Sequence, residues 1–436
     1  MSLPSKRIEI EIDPNAGLQP FFTLDSPTLG VLDSPDAILG GLIWADVTPY
    51  VIGYSTNRGS SRLLDRYNSG LASVVFDNTT RLFDPLNTAS PYSEQLLPRR
   101  GLRIFSGGSA VYQGIVQDWN LAYNPSGDNT TTAEVADKFS LLAQQTMTAH
   151  TAVVQNSGDR VNSVLSRPEV DWSLVERNID TGQYQMQADV VDNGTIVLDY
   201  LNQVTQSEQG SLFIGKNGYL NFQDASVGPS STGAVSFADD SSGIKFTDLS
   251  VVYGSELLYN RISLTRLGGA SQIVDDLTSQ AFYGITTYEI DNLLNNSDVD
   301  VANIADALLA KYANPEYRFD SISIELAELT TGQQNQILGL ELTDIVKIKF
   351  TPNNIGSPIE KYARIIGISH NVGNFTHKVS LNLDTLDFAP FVLDDPVFGV
   401  LGGTIGTTLY NDSTLTYDDL LTYNGNTTTI TGYSLG

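Results

Sequence analysis

The sequence predicts a mainly β protein with a small α/β part, and three observations carry that prediction. Apolar and polar residues alternate with period two at Ile8, Ile10 and Ile12, across residues 111–119, and at Ile262 and Leu264. The pattern returns at Ile322, Ile324 and Leu326, at Val346, Ile348 and Phe350, and at Val379, Leu381 and Leu383. A side-chain period of two puts one face of a segment in a core and the other in water. Gly, Asn, Thr, Ser and Asp fill much of the remainder, and these residues serve turns. Helical spacing is clear in only two places, near residues 196–204 and 301–312.

In chain order, the first strand is centred on Ile8, Ile10 and Ile12. A strand ending at Phe76 then meets an Asp77-Asn78 turn and a rigid loop between Pro85 and Pro91, followed by two strands with a bend at Gly114. Residues 133–143 alternate and close with a short helix at Phe139-Ser-Leu-Leu-Ala143. Ile196, Tyr200, Leu201 and Val204 share one face of a helix that follows Gly194. Leu212 to Phe222 reads as a hairpin, because Asn217-Gly218 supplies the positive-φ turn between two apolar arms. Val301, Ile304, Ala305, Leu308 and Tyr312 define a second amphipathic helix, expected to be capped by Asp300 and to stop before Pro315.

Composition breaks at residues 124–132, 228–233 and 388–390 suggest boundaries, although the first also fits a long hairpin loop. The expected division is 1–148, a β domain with a motif inserted at 20–43; 149–235, a small α/β domain carrying the Asn-Gly hairpin; 236–388, a second β domain with an associated β/α region; and 389–436, a C-terminal extension. Residues 22–32 and 391–401 repeat one another, sharing Phe, Leu, Asp, Pro, Gly, Val and Leu in register. Two copies do not make a solenoid. The expectation is one backbone used twice, outside the main β domains. Beyond the second copy runs a Thr-, Tyr- and Gly-rich stretch with Tyr410, Tyr417 and Tyr423.

Composition excludes several function classes. The 436 residues carry 24 Lys+Arg against 50 Asp+Glu, a formal charge of -26, so the surface repels nucleic acid and anionic membranes. Cysteine is absent, which removes disulfides, thiolate nucleophiles and zinc-thiolate sites. No apolar run of about 18 residues is present, and the N-terminal segment alternates where a signal peptide would be apolar, so synthesis in the cytosol and no membrane insertion are expected.

Of the histidines, His150 is isolated, while His370 and His377 flank Gly373 as hairpin residues. No third ligand accompanies them at a metal-binding spacing. Four acidic pairs, Asp239-Asp240, Asp275-Asp276, Asp394-Asp395 and Asp418-Asp419, have the chemistry of glycosidase acids or calcium ligands, but no EF-hand pattern surrounds them, and solvated turn carboxylates are the simpler reading. No nucleophile elbow, phosphate-cradling loop or His-Glu-x-x-His occurs. The expectation is therefore no catalytic residue, no metal, no cofactor and no enzymatic activity.

The most informative stretch starts at Trp44-x-Asp46-Val47-Thr48. It runs on through Val75-Phe-Asp-Asn-Thr-Thr-Arg-Leu-Phe-Asp-Pro-Leu-Asn-Thr-Ala-Ser-Pro-Tyr92, then Leu97-Pro-Arg-Arg-Gly-Leu-Arg103, then Tyr112-Gln-Gly-Ile-Val-Gln-Asp-Trp119. In kind and order this series resembles the hub, or minor tail, proteins of long-tailed bacteriophages, especially those of actinobacterial hosts. Weaker matches continue through Asp159-Arg160-Val161, Ser207-Glu208, Tyr259-Asn-Arg261, Asp275 with Ser279-Gln280, and Asp344-Ile-Val346, covering about residues 44–388. Two departures stand out: no Gly precedes Arg81, and Gly101 stands where the pattern has Pro.

The resemblance implies a multi-domain hub fold with β-barrel domains. It implies a homotrimeric structural protein of the virion tail tip, contacting a distal tail protein ring, the tail tube or tape measure protein, and tip or receptor-binding proteins. Genomic DNA would pass through without specific binding. An alternative of another class is a β-rich glycan-binding protein or glycosidase, suggested by the 20 tyrosines and the turn-rich C-terminus. A receptor-binding fibre is a third, disfavoured because fibres repeat along the whole chain.

Overall fold

In a computed structural model of the chain, the described residues are 2–12, 27, 43–62, 64, 66–125, 127–225 and 235–386. Both copies of the repeat, apart from Pro27, the acidic pairs 394–395 and 418–419 and the breaks at 228–233 and 388–390 lie outside them. The structure is mainly β, as the alternation predicts.

Seven strands form the N-terminal part: β1 (Lys6–Ile12), β2 (Ile43–Asp46), β3 (Val51–Gly59), β4 (Asn68–Asp77), β5 (Gly101–Ser106), β6 (Ser109–Ala122) and β7 (Thr130–Ala136). The alternating isoleucines of β1 are all buried. The 124–132 break is a loop within the antiparallel β6–β7 pair, so it is no boundary. Helix α1 (Phe139–Leu142) follows as expected.

The next segment holds α2 (Ser157–Leu165), the short strand β8 (Arg177–Ile179) and α3 (Val197–Glu208), then β9 (Ser211–Ile214) and β10 (Leu220–Gln223). Strands β9 and β10 pair as the predicted hairpin, with Leu212 opposite Phe222 and Ile214 opposite Leu220. Gly218 in their turn has φ 81°, which L side chains avoid. Tyr200, Leu201 and Val204 of α3 are buried against Leu220 and Phe222 in a core of their own, whereas Ile196, expected on the same face, is corrected: it precedes the helix at the N-cap position, in extended backbone, and is exposed.

The last part holds β11 (Val235–Ala238), β12 (Asp248–Tyr253), β13 (Arg261–Arg266), β14 (Ser271–Asp275), α4 (Leu277–Tyr283), β15 (Thr287–Leu293) and α5 (Asp298–Tyr312). It ends with β16 (Tyr317–Glu325), α6 (Thr331–Gly339), β17 (Ile345–Phe350), β18 (Ile359–Val372) and β19 (His377–Leu386). Helix α5 buries Val301, Ile304, Ala305 and Tyr312, the predicted face. Its cap is corrected: Ser297, not Asp300, accepts from the Val299 N–H, and Asp300 sits in the first turn, where its charge favours the helix dipole.

Strands from both ends of the chain share one sheet, in the order β12-β16-β19-β18-β3-β4-β7-β6-β5-β1-β2, with β17 branching from β18 and β11 parallel to β17. The two halves meet where β3 pairs with β18, Gly367 opposite Gly59 through Val372 opposite Tyr54. A Cβ on Gly59 would lie 2.3 Å from the Ile366 carbonyl oxygen, so this close approach needs glycine. The largest core cluster runs through both halves, from Ile8 to Leu383.

Candidate functional site

The junction of β3 and β18 buries an unusual amount of polar chemistry. Tyr54, Thr56 and Arg58 alternate along β3 and are all buried, facing the same side as their cross-strand neighbours Val372, His370 and Ile368. On the adjacent β19, His377 stands opposite Val372. The register thus brings His370 and His377 together, Nδ1 to Nε2 at 3.1 Å, one ring donating to the other. Burial strips both imidazoles of solvent and pushes both pKa values down, His377 to about 4 and His370 well below its ordinary value, with His377, Arg58 and Lys216 adding to the effect on His370. A neutral pair of this kind exchanges one hydrogen bond and carries no charge. His377 also donates its backbone N–H to Glu325, at 2.9 Å.

Arg58 reaches from the same row to Glu341 at 2.6 Å, and Glu341 also accepts from the backbone N–H of Lys216 at 2.8 Å. Lys216 Nζ in turn donates to the carbonyls of Leu338 and Leu340, each at 3.1 Å. The β9–β10 hairpin turn is therefore clamped to the segment after α6 by charge-assisted hydrogen bonds, which are about twice as strong as neutral ones.

His150 lies elsewhere, its Nδ1 3.0 Å from the Thr148 carbonyl oxygen. The acidic pairs within the described residues are engaged one by one. Asp239 accepts from the Thr351 N–H at 2.7 Å and Asp240 pairs with Lys349 at 2.8 Å. Asp275 holds Arg261 through two bonds of 2.7 and 3.0 Å, while Asp276 caps α4 through the Ser279 N–H. None of these pairs presents two carboxylates across a cleft, the arrangement a glycosidase needs. Among the described residues no group of three His, Asp or Glu side chains is placed to hold a metal ion.

The motif residues instead hold the fold. Asn78 accepts from the Phe83 N–H at 2.9 Å, and Arg81 pairs with Asp84 at 2.6 Å. That loop seats Phe83 between Phe76 and Tyr92, with ring centroids 4.5 and 5.5 Å away. Arg81 itself adopts φ 58°, the left-handed conformation in which the motif's missing Gly would be unstrained. Gly101 donates its N–H to Glu11 at 2.8 Å, and a Cβ there would lie 2.8 Å from the Trp44 ring, so proline could supply neither the donor nor the space.

Arg160 is buried, donating to the Tyr200 hydroxyl at 2.7 Å and to the carbonyls of Val153 and Gln187 at 2.6 and 2.8 Å. Glu208, also buried, accepts from Ser157 Oγ at 2.8 Å and from the N–H groups of Gln183 and Tyr184 at 2.9 and 3.0 Å. Asn260 bridges the Gly284 carbonyl and the Thr286 N–H.

One feature had no signal in local sequence. Between α3, α5 and the β18–β19 pair at Arg364 and Asp384 lies a cavity of about 710 Å³. Among the described residues its charged lining is Arg62, Arg66, Lys311 and Arg364 against Asp384, and Tyr67, Tyr184, Tyr288 and Tyr312 contribute its aromatic surface. Lys311 binds both oxygens of Asp384, at 2.9 and 3.2 Å. These residues come from six separate stretches of chain, and only the fold assembles them.

No family model matches the chain, and no curated protein matches it in sequence. Solved structures do resemble it. The tail protein from Neisseria meningitidis MC58 aligns over 88% of this chain and 97% of its own, with a TM-score of 0.56 and 10% identity. The 43 kDa tail protein of prophage MuSo2 from Shewanella oneidensis aligns over 78% of this chain and 95% of its own, with a TM-score of 0.52 and 13% identity. At such identities the likeness is one of fold, and the fold of this chain is the mainly β fold of those phage tail proteins.

Proposed function

We propose that the chain is a structural protein of a phage virion, forming a homotrimeric tail hub at the tail tip of a long-tailed phage. In this reading it joins the tail tube and a distal tail protein ring to tip or receptor-binding components, and its ring forms part of the channel through which genomic DNA leaves. The observation that carries the proposal is the fold likeness, which takes in nearly the whole length of two phage tail proteins. The motif order from Trp44 to Trp119 supports the hub assignment, and the charge of -26 suits a conduit that DNA must not adhere to.

The division at residues 148 and 235 belongs to the same proposal; the separate core around Tyr200 and Phe222 supports a central unit, and that core also takes in Phe139, Leu142 and Met147 before it and Leu294 after it. The reading assigns no hydrolytic role to the chain, because the acidic side chains described above are spent on caps, turns and ion pairs.

Native mass measurement of the full-length protein, with electron microscopy of any ring viewed down its axis, tests the proposal. Three copies around a central channel are expected, since closed cyclic symmetry is how identical chains build a ring. A persistent monomer or a six-copy ring would overturn it. Cleavage of peptidoglycan or polysaccharide by the purified chain, lost on changing one carboxylate, would overturn the non-enzymatic part.

A further inference from the structure

The cavity between α3, α5 and β18 is a cationic pocket in an acidic protein. Among the described residues, four of its charged lining residues are basic and one is acidic, and that one, Asp384, is already bound by Lys311. Arg62 and Arg66 stand at its exposed side, where Arg62 lies 3.8 Å from Glu256 and Arg66 3.4 Å from Gln206. Arg364 faces Asp384 across the β18–β19 ladder. Such an excess of guanidinium groups beside tyrosine rings is suited to carboxylates flanked by aromatic or apolar side chains.

A segment of that chemistry leaves the fold beside the cavity. Strand β19 ends at Leu386, paired with Tyr362, two residues beyond Asp384. The chain after it carries Asp387, Asp394, Asp395, Asp412, Asp418 and Asp419 and no Lys or Arg, with Phe388 and Phe391 among the first carboxylates. An extended chain covers at most about 3.6 Å per residue, so Asp394 lies no more than roughly 36 Å along the chain from Asp384, and Asp387 is its near neighbour.

We propose that this chain's own C-terminal segment docks in the cavity, with Asp387, Asp394 and Asp395 meeting Arg62, Arg66 and Arg364. The occupied cavity would join α3 and α5 to the sheet through a strap that is tethered at Leu386. Tethering favours this occupant over a free acidic partner, because it raises the local concentration of the segment at the pocket. The inference does not depend on the hub reading, since it uses only the cavity, the charges and the point where the chain leaves the sheet.

The chain contains no cysteine, so an engineered pair reports cleanly. In the full-length protein carrying Val392→Cys and Gln206→Cys, mild oxidation is expected to give an intrachain disulfide, identified by non-reducing electrophoresis and peptide mass spectrometry. Neutralising Asp387, Asp394 and Asp395 to Asn should slow its formation about tenfold, as should Arg364→Gln; tenfold corresponds to ~1.4 kcal/mol. Added salt should slow it as well. A cross-link that forms at the same rate after neutralisation, one that joins two chains, or none at all would each overturn the proposal. Arg364→Gln is read beside its thermal unfolding curve, and the Asn variants decide the matter if that substitution unfolds the chain.

Discussion

His370 and His377 show how a buried residue pair converts burial into pH dependence. Both imidazoles are held neutral below their ordinary range, whereas in the unfolded chain histidine titrates near ~6.5. The unfolded state therefore binds more protons in the window from ~6.5 down through about 4. The pair's contribution is fully present above ~6.5 and is lost as pH falls through that window. Asp137 works in the opposite sense. Burial raises its carboxyl to about 6, against bonds from Ser69, Gly70 and Phe139 that favour the charged form, so it adds stability at low pH that is lost as pH rises through 6. Denaturant unfolding measured from pH 7 to pH 4 should show the slope set by the histidines flatten in a His370→Gln, His377→Gln double variant. It should steepen in Asp137→Asn. Arg58 gives a second prediction at this scale: Arg58→Ala removes the buried guanidinium that pairs with Glu341 and is expected to cost ~3–5 kcal/mol in the same assay.

Helix α5 illustrates how an element's interior and its end are specified by different rules. Its apolar face follows from spacing alone, and the structure buries Val301, Ile304, Ala305 and Tyr312 as that spacing requires. Its start was misplaced because Asp298, Asp300 and Ser297 all favour a helix N-terminus, and only the backbone path decides which one caps. Ser297→Ala should cost ~1 kcal/mol of stability, and Asp300→Ala only a few tenths. Equal losses in chemical denaturation would argue against the assigned cap. The 77–92 loop makes the same point for irregular structure. Its Asp, Asn, Ser and Pro residues announce a turn-rich segment, yet the Phe83 plug between Phe76 and Tyr92 is a packing outcome. Phe83→Ala should cost ~3–5 kcal/mol, more than any polar change in the same loop.

At the scale of the whole molecule, a single sheet combines strands from the two ends of the chain, and a central segment packs its own core against it. The β3–β18 pairing joins the halves within the sheet, and Gly59 permits its close contact at φ 95°. Gly59→Ala should destabilise both halves together by more than ~1 kcal/mol, seen as one earlier unfolding transition by fluorescence and by circular dichroism. The sequence by itself determined the mainly β class, the Asn217-Gly218 hairpin and the faces of α3 and α5, because each depends on residue period or a turn preference within a few positions. It also revealed the acidic balance and the absence of cysteine. Only the tertiary structure decided that His370 meets His377, that Arg58 reaches Glu341 across 283 positions, and that Arg62, Arg66, Lys311 and Arg364 line one cavity. Those juxtapositions depend on strand register and on which distant strands pair. Such pairing is fixed by burial summed over the whole sheet, so no short window of sequence contains it.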